Sequence, residues 1–164
     1  MPVPSRTPFH PLLLEPEYWQ HRLEQQRSVR PFLLLVPRPD LSTATCDVEE
    51  LRFRAHDGVR LWGMLGRCPL FREALPARIR IVSTGQLPSV DITTVEAGRA
   101  EIVIQAPPGR RLEDRVLDVL RCCDLARDLE SIDARHVELF VEDGGRCPDE
   151  IRIAHCLRQV AGEA

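Results

Sequence analysis

The sequence predicts an α/β fold, a three-layer sandwich whose mostly parallel central sheet is preceded by a β-hairpin. Three observations carry this. Apolar and charged residues alternate on both sides of Asp57-Gly58. Two short apolar runs, Ile79 to Thr84 and Ile102 to Ile104, are bounded by chain breakers, as strands buried on both faces should be. A period of 3.6 then runs from Asp114 to about Ser131. The chain has 164 residues, enough for one domain that buries its own core.

Residues 1–40 are punctuated by proline and read as an N-terminal extension with one helix packed on the domain; residues 41–164 form the domain itself. The helix runs from Glu15 or Pro16 to about Ser28. Proline in the first turn has no amide to leave unpaired, and Glu15 and Glu17 suit the positive end of the helix dipole. Tyr18, Trp19, Leu23 and Gln26 give it a thin packing stripe.

The hairpin joins Leu51–His56 to Val59–Leu65, with Asp57-Gly58 expected as a two-residue type I′ turn and His56 as a solvated strand-end residue. A proline-bounded connection, Pro69 to Pro76, leads to the strand Ile79–Thr84. Ser89 to Ala97 fits a short helix or an irregular crossover, and both remain open. After Ile102–Ile104 comes the turn-rich Ala106-Pro107-Pro108-Gly109. The following helix places Val116, Val119, Leu120, Cys123, Ala126 and Leu129 on one face. Asp118, Arg121, Asp124, Arg127 and Asp128 are expected on its wet side. The turn Asp133-Ala134-Arg135, the strand His136–Val141, a tight turn and a last helix from about Pro148 to Val160 complete the chain.

Composition excludes more than it identifies. The formal charge of -3 offers no general attraction for nucleic acid or anionic lipid. All 22 basic residues are arginine, interleaved with acids, a pattern of GC-rich codon usage rather than of an anion-binding patch. No apolar run approaches the length of a membrane span, and Met1 to His10 lacks the apolar centre of a secretory signal, so a cytoplasmic protein is expected. The six cysteines (Cys46, Cys68, Cys122, Cys123, Cys147 and Cys156) form no CxxC pair. They are expected as free thiols, with no metal and no cofactor.

In its motifs the chain resembles the acetyl xylan esterase and cephalosporin C deacetylase branch of the α/β-hydrolases. The carriers are Pro16-Glu17-Tyr18-Trp19 with Leu23, the hairpin from Phe53 to Gly63, and the stretch from Ala126 to Val137, in family order over nearly the whole chain. The resemblance implies that His136–Val141 is the nucleophile strand and that Glu142-Asp143-Gly144-Gly145 is the elbow. The elbow motif GxSxG holds a strained serine at the top of the sheet. Here Asp143 stands where serine would, and Val141 replaces the first glycine. Thr84-Gly85-Gln86 falls at the oxyanion loop, whose backbone amides would stabilise a tetrahedral oxyanion.

A carboxylate nucleophile at Asp143 would need a histidine to activate water. The chain stops at Ala164, so the resemblance implies a truncated α/β-hydrolase-like fold lacking the segments that carry the family's acid and histidine. His136 would lie roughly 20 Å from Asp143 at the usual strand rise. The expected function is therefore non-catalytic: a structural, ligand-binding or protein-interaction module. The alternative is an esterase-like hydrolase completed across a dimer, with Asp143 or Ser83 attacking and His155 or His56 arriving from the second copy. Truncation would leave the last strand at the sheet edge. Val137, Leu139, Phe140 and Val141 are then expected to pair with a two-fold mate, beside any further protein partner.

Overall fold

A computed structural model describes residues 15–82, 85–140, 153–154 and 156–158. Its elements are α1 (Pro16–Ser28), β1 (Leu34–Pro37), β2 (Asp47–Arg54), β3 (Arg60–Arg67), β4 (Leu75–Val82), α2 (Ile92–Glu96), β5 (Ala100–Gln105), α3 (Leu112–Asp128) and β6 (Ile132–Leu139). The six strands form one sheet in the order β1-β2-β3-β5-β4-β6. It is mixed: β1, β2, β3 and β5 pair antiparallel in succession, and β4 runs parallel to both β5 and β6. Helices lie on both faces.

The hairpin is present, with a different turn. Arg54 pairs with Arg60, Ala55 N donates to Val59 O at 2.9 Å and Gly58 N donates to Ala55 O at 3.0 Å. Of the loop residues only Gly58 has positive φ, at 81°. A type I′ turn would need Asp57 there as well, so the connection is instead a three-residue loop ending in a glycine bulge. The difference of one residue decides the register. It brings Leu51, Phe53, Ala55, Leu61 and Leu65 to the same core, whereas the expected register would have set Phe53 opposite Trp62.

That core lies between the sheet and α3, where Ile79, Ile102 and Ile104 meet Cys122, Leu125 and Ala126. Each such large apolar side chain contributes about 1.5–3 kcal/mol by leaving water. β5 is buried along nearly its whole length, as its uninterrupted apolar run predicts. Gly63 permits the close β3–β5 approach, because a Cβ there would overlap the Val103 carbonyl oxygen.

The expected wet side of α3 is wrong at two positions: Asp118 and Arg121 are only 6% and 4% exposed. The cause is a second helical layer. Trp19 of α1 packs on Val116, Leu117 and Leu120, together with Ile153 and Ala154, so α3 is covered on both sides. Arg121 donates to the carbonyls of Gln26 (2.7 Å), Arg54 (3.2 Å) and Val29, tying the end of α1 to the hairpin. Its cost of burial is offset by these charge-assisted bonds.

Other boundaries also move. β1 is a strand inside the stretch expected to hold only a helix; Leu34 pairs with Arg52 and Pro37 with Glu49. β4 begins at Leu75, within the expected connection, and β6 begins at Ile132, so the expected turn Asp133–Arg135 lies in a strand. An irregularity between Leu75 and Ala77 lets β6 join early. Ser89–Ala97 resolves into the short helix α2, capped by Asp91, whose side chain accepts from Thr93 N at 3.1 Å. Cys46, Cys68, Cys122 and Cys123 are buried free thiols and Cys156 is an exposed one.

Candidate functional site

β4 leaves through α2, which packs Val95 against Cys46, Val48, Met64 and Cys68 on one face of the sheet. β5 leaves through α3, which covers the other face. Adjacent parallel strands whose connections part to opposite faces open a crevice beyond their carboxyl ends, the usual ligand position in an open α/β sheet. Two bonds tie the crevice together. Ala106 N donates to Val82 O at 3.0 Å, and Gln105 Nε2 donates to Gln86 O at 2.8 Å.

Gly85 turns the chain here with φ of 89° and open space where a Cβ would stand. Gly85 and Gln86 therefore stand at the crevice, where the sequence puts the oxyanion loop. Thr84 and Ser83 lie outside the described residues. So do Val141, Glu142, Asp143, Gly144 and Gly145, the whole proposed elbow, and His155. Val137, Leu139 and Phe140 lie on and just after β6, which is an edge strand of the described sheet. Phe140 N donates to Ile79 O at 2.9 Å, and its ring stacks on the Arg78 guanidinium at 4.1 Å. Arg158 Nη2 donates to Val137 O at 2.7 Å, meeting one carbonyl of the last strand.

The hairpin tip meets the start of α3 beside the same end of the sheet and carries most of the titratable groups. His56 is not solvated: its side chain is 13% exposed, with Nε2 3.4 Å from Asp114 Oδ1. Burial holds the imidazole below its ordinary value, and Asp57 and Asp114 oppose that only in part. Arg22 reaches the same Asp114 oxygen at 3.4 Å. Arg110 grips Asp118 with two bonds, at 3.0 and 2.6 Å, and also pairs with Asp57. Burial pushes the Asp118 carboxyl up to about 6 against the pull of Arg110. Tyr18 Oη donates to Glu113 at 2.6 Å.

One ligand atom from each of His56, Asp57 and Asp114 lies within 4.8 Å of the others, a spacing a metal ion would accept. Two guanidinium groups already occupy these carboxylates, so the cluster reads as an ion-pair network that fastens hairpin, α1 and α3. Sequence reading missed Arg110 and Asp118. They are eight residues apart, and only the turn before α3 brings them together.

The other described histidines are also committed. His136 Nδ1 lies 2.8 Å from Asp133 Oδ2, and His21 lies 3.0 Å from Gln25. Asp133, bound by Arg135 and His136, is held well below the usual carboxylate range. None of these three imidazoles is hydrogen-bonded to a described hydroxyl or thiol.

These features define an α/β-hydrolase-like fold: a mixed six-stranded sheet with helices on both faces. No family model and no curated protein matches the chain. Its likeness is to solved esterases. It is similar to acetyl xylan esterase 1 from Thermoanaerobacterium sp. JW/SL YS485, with a TM-score of 0.69 and 18% identity over 92% of this chain and 56% of that one. It is also similar to an acetyl xylan esterase from Paenibacillus sp. R4, with a TM-score of 0.66 and 13% identity over 76% of this chain and 50% of that one. The chain thus spans about half the length of the solved structures it matches. At this identity the likeness establishes the fold.

Proposed function

We propose that the chain is a non-catalytic α/β-hydrolase-like module that binds a ligand or a protein rather than cleaving esters. One observation carries the reading: none of the described imidazoles, His21, His56 and His136, is hydrogen-bonded to a described hydroxyl or thiol that it could activate. Nucleophilic catalysis requires the base to hold the proton of the attacking group. The absence of serine at the elbow position, where Asp143 stands, supports the same conclusion. A shared fold does not by itself carry chemistry.

The cross-dimer alternative loses one of its two bases. His56, boxed in by Arg22, Asp114 and Arg110, is not presented to a second copy. We place the protein's self-association at the rim of β6, as a second reading of the same module. No helix among the described residues is long and apolar enough to cross a membrane.

Incubation with a fluorophosphonate, followed by intact mass measurement, tests the absence of an activated serine. The chain is expected to keep its mass of 18.7 kDa. A stoichiometric adduct on Ser83 or any other serine contradicts the proposal.

A further inference from the structure

Across the sheet from α3, α2 covers only part of the surface. Over β1, β2 and β3 a trough of about 920 Å³ is left, with Trp62 and Met64 among its walls. This volume lies within the range of small-molecule sites. Its apolar rim is well exposed: Phe32 by 64%, Leu34 by 52% and Leu87 by 78%. Exposed apolar residues gathered along one concavity mark a contact surface more often than singly scattered ones do.

The charges of the trough are unbalanced. Arg38 and Arg52 are both bound to Glu50, and Arg38 also to Asp40. Arg54 and Arg60 have no carboxylate partner among the described residues. Yet they are the directly opposed pair that closes the hairpin ladder. Like charges directly opposite one another on a sheet repel, and an anion seated between them removes the repulsion.

Phe32 supplies the third element. It is the one non-glycine residue with positive φ among the described residues, at 49°. A bulky side chain is rarely found there, and such strain persists only where the surroundings enforce it. Arg54 N holds the preceding carbonyl, Pro31 O, at 2.7 Å, and the Phe32 ring lies 5.3 Å from the Arg54 guanidinium. The backbone is bent so that an aromatic ring stands exposed beside the unpaired cation.

We propose that this trough binds a small amphipathic carboxylate. Its head sits between Arg54 and Arg60, and its apolar body lies along Trp62, Met64, Leu34 and Leu87. The ligand class follows from charge complementarity at one end and apolar walls along the rest. The site is independent of the carboxyl-end crevice and of whether that crevice hydrolyses esters, which a different experiment measures.

The test is titration of the purified chain with decanoate below its micelle threshold, followed by tryptophan fluorescence. Trp19, on the inner face of α1, is 1% exposed, so the response belongs to Trp62 and is lost in Trp62→Phe. Saturable binding is expected, with acetate and decan-1-ol each at least about tenfold weaker. Arg60→Glu places a carboxylate opposite Arg54; it should keep or raise Tm and weaken decanoate at least about tenfold. Overturning results are unchanged decanoate affinity in Arg60→Glu, decanol or acetate binding as tightly as decanoate, or no response to decanoate up to about 1 mM, a range that admits even weak sites.

Discussion

His56 shows how a single side chain is set by three elements that meet only in the folded chain. Hairpin tip, α1 and α3 converge on it, and the resulting burial favours the neutral imidazole. A histidine whose folded pKa is depressed stabilises the fold above its unfolded value and ceases to do so as pH falls through that value towards the folded one. The unfolded chain takes up a proton near pH 6.5 that the folded chain still refuses. Denaturant unfolding between pH 7 and 5 should therefore show a steeper loss of stability in the native chain than in His56→Gln. Asp118, raised by burial, works in the opposite sense in both chains, so the difference isolates His56. Equal slopes contradict the assignment.

Much of this scale was not legible in the sequence. Asp118 and Arg121 sit at polar positions of an amphipathic helix, and periodicity assigns such positions to water. Only the docking of Trp19 and Arg110 from elsewhere reverses that. Arg54 and Arg60 are six residues apart in a chain where arginines alternate with acids, and they become neighbours only through the hairpin.

Among the elements, those with strong local signals were legible. α1 and α3 lie within a few residues of their expected bounds, and β5 matches its apolar run. Elements defined by partners were harder. β1 is short, ends in proline and exists because β2 offers it an edge. β6 starts among polar residues that pair with β4 before the apolar run begins. The hairpin turn was misjudged because Asp-Gly suits both a two-residue turn and a three-residue loop with a glycine bulge, and the core decides between them.

At the element scale β6 carries its own consequence, since an edge strand exposes unpaired backbone groups. Arg158 satisfies one of them, at Val137, and the Leu139–Phe140 end stays half-buried. We expect a two-fold dimer that continues the sheet beyond β6. Light scattering after size exclusion at roughly 10 μM, a concentration where micromolar dimers persist, should report twice the chain mass. A Leu139→Pro variant, which removes an amide on the side of β6 facing away from β4, should shift it to monomer. A native chain that elutes as a monomer contradicts the dimer.

At the scale of the whole molecule, the α/β fold class follows from the alternation of strands and helices and was legible from the start; the strand order β1-β2-β3-β5-β4-β6 was not, because it depends on pairings between residues distant in sequence. Chemistry was also less legible. Gly85 and Gln86 follow the carboxyl end of β4, while His56 and His136 face carboxylates and His21 faces Gln25. The most direct measurement is turnover of p-nitrophenyl acetate by the purified chain and by Asp143→Ala. Release at the buffer rate in both is the expected result. Release by the native chain that disappears in Asp143→Ala would show that a carboxylate attacks at the elbow, and that the protein is a hydrolase after all.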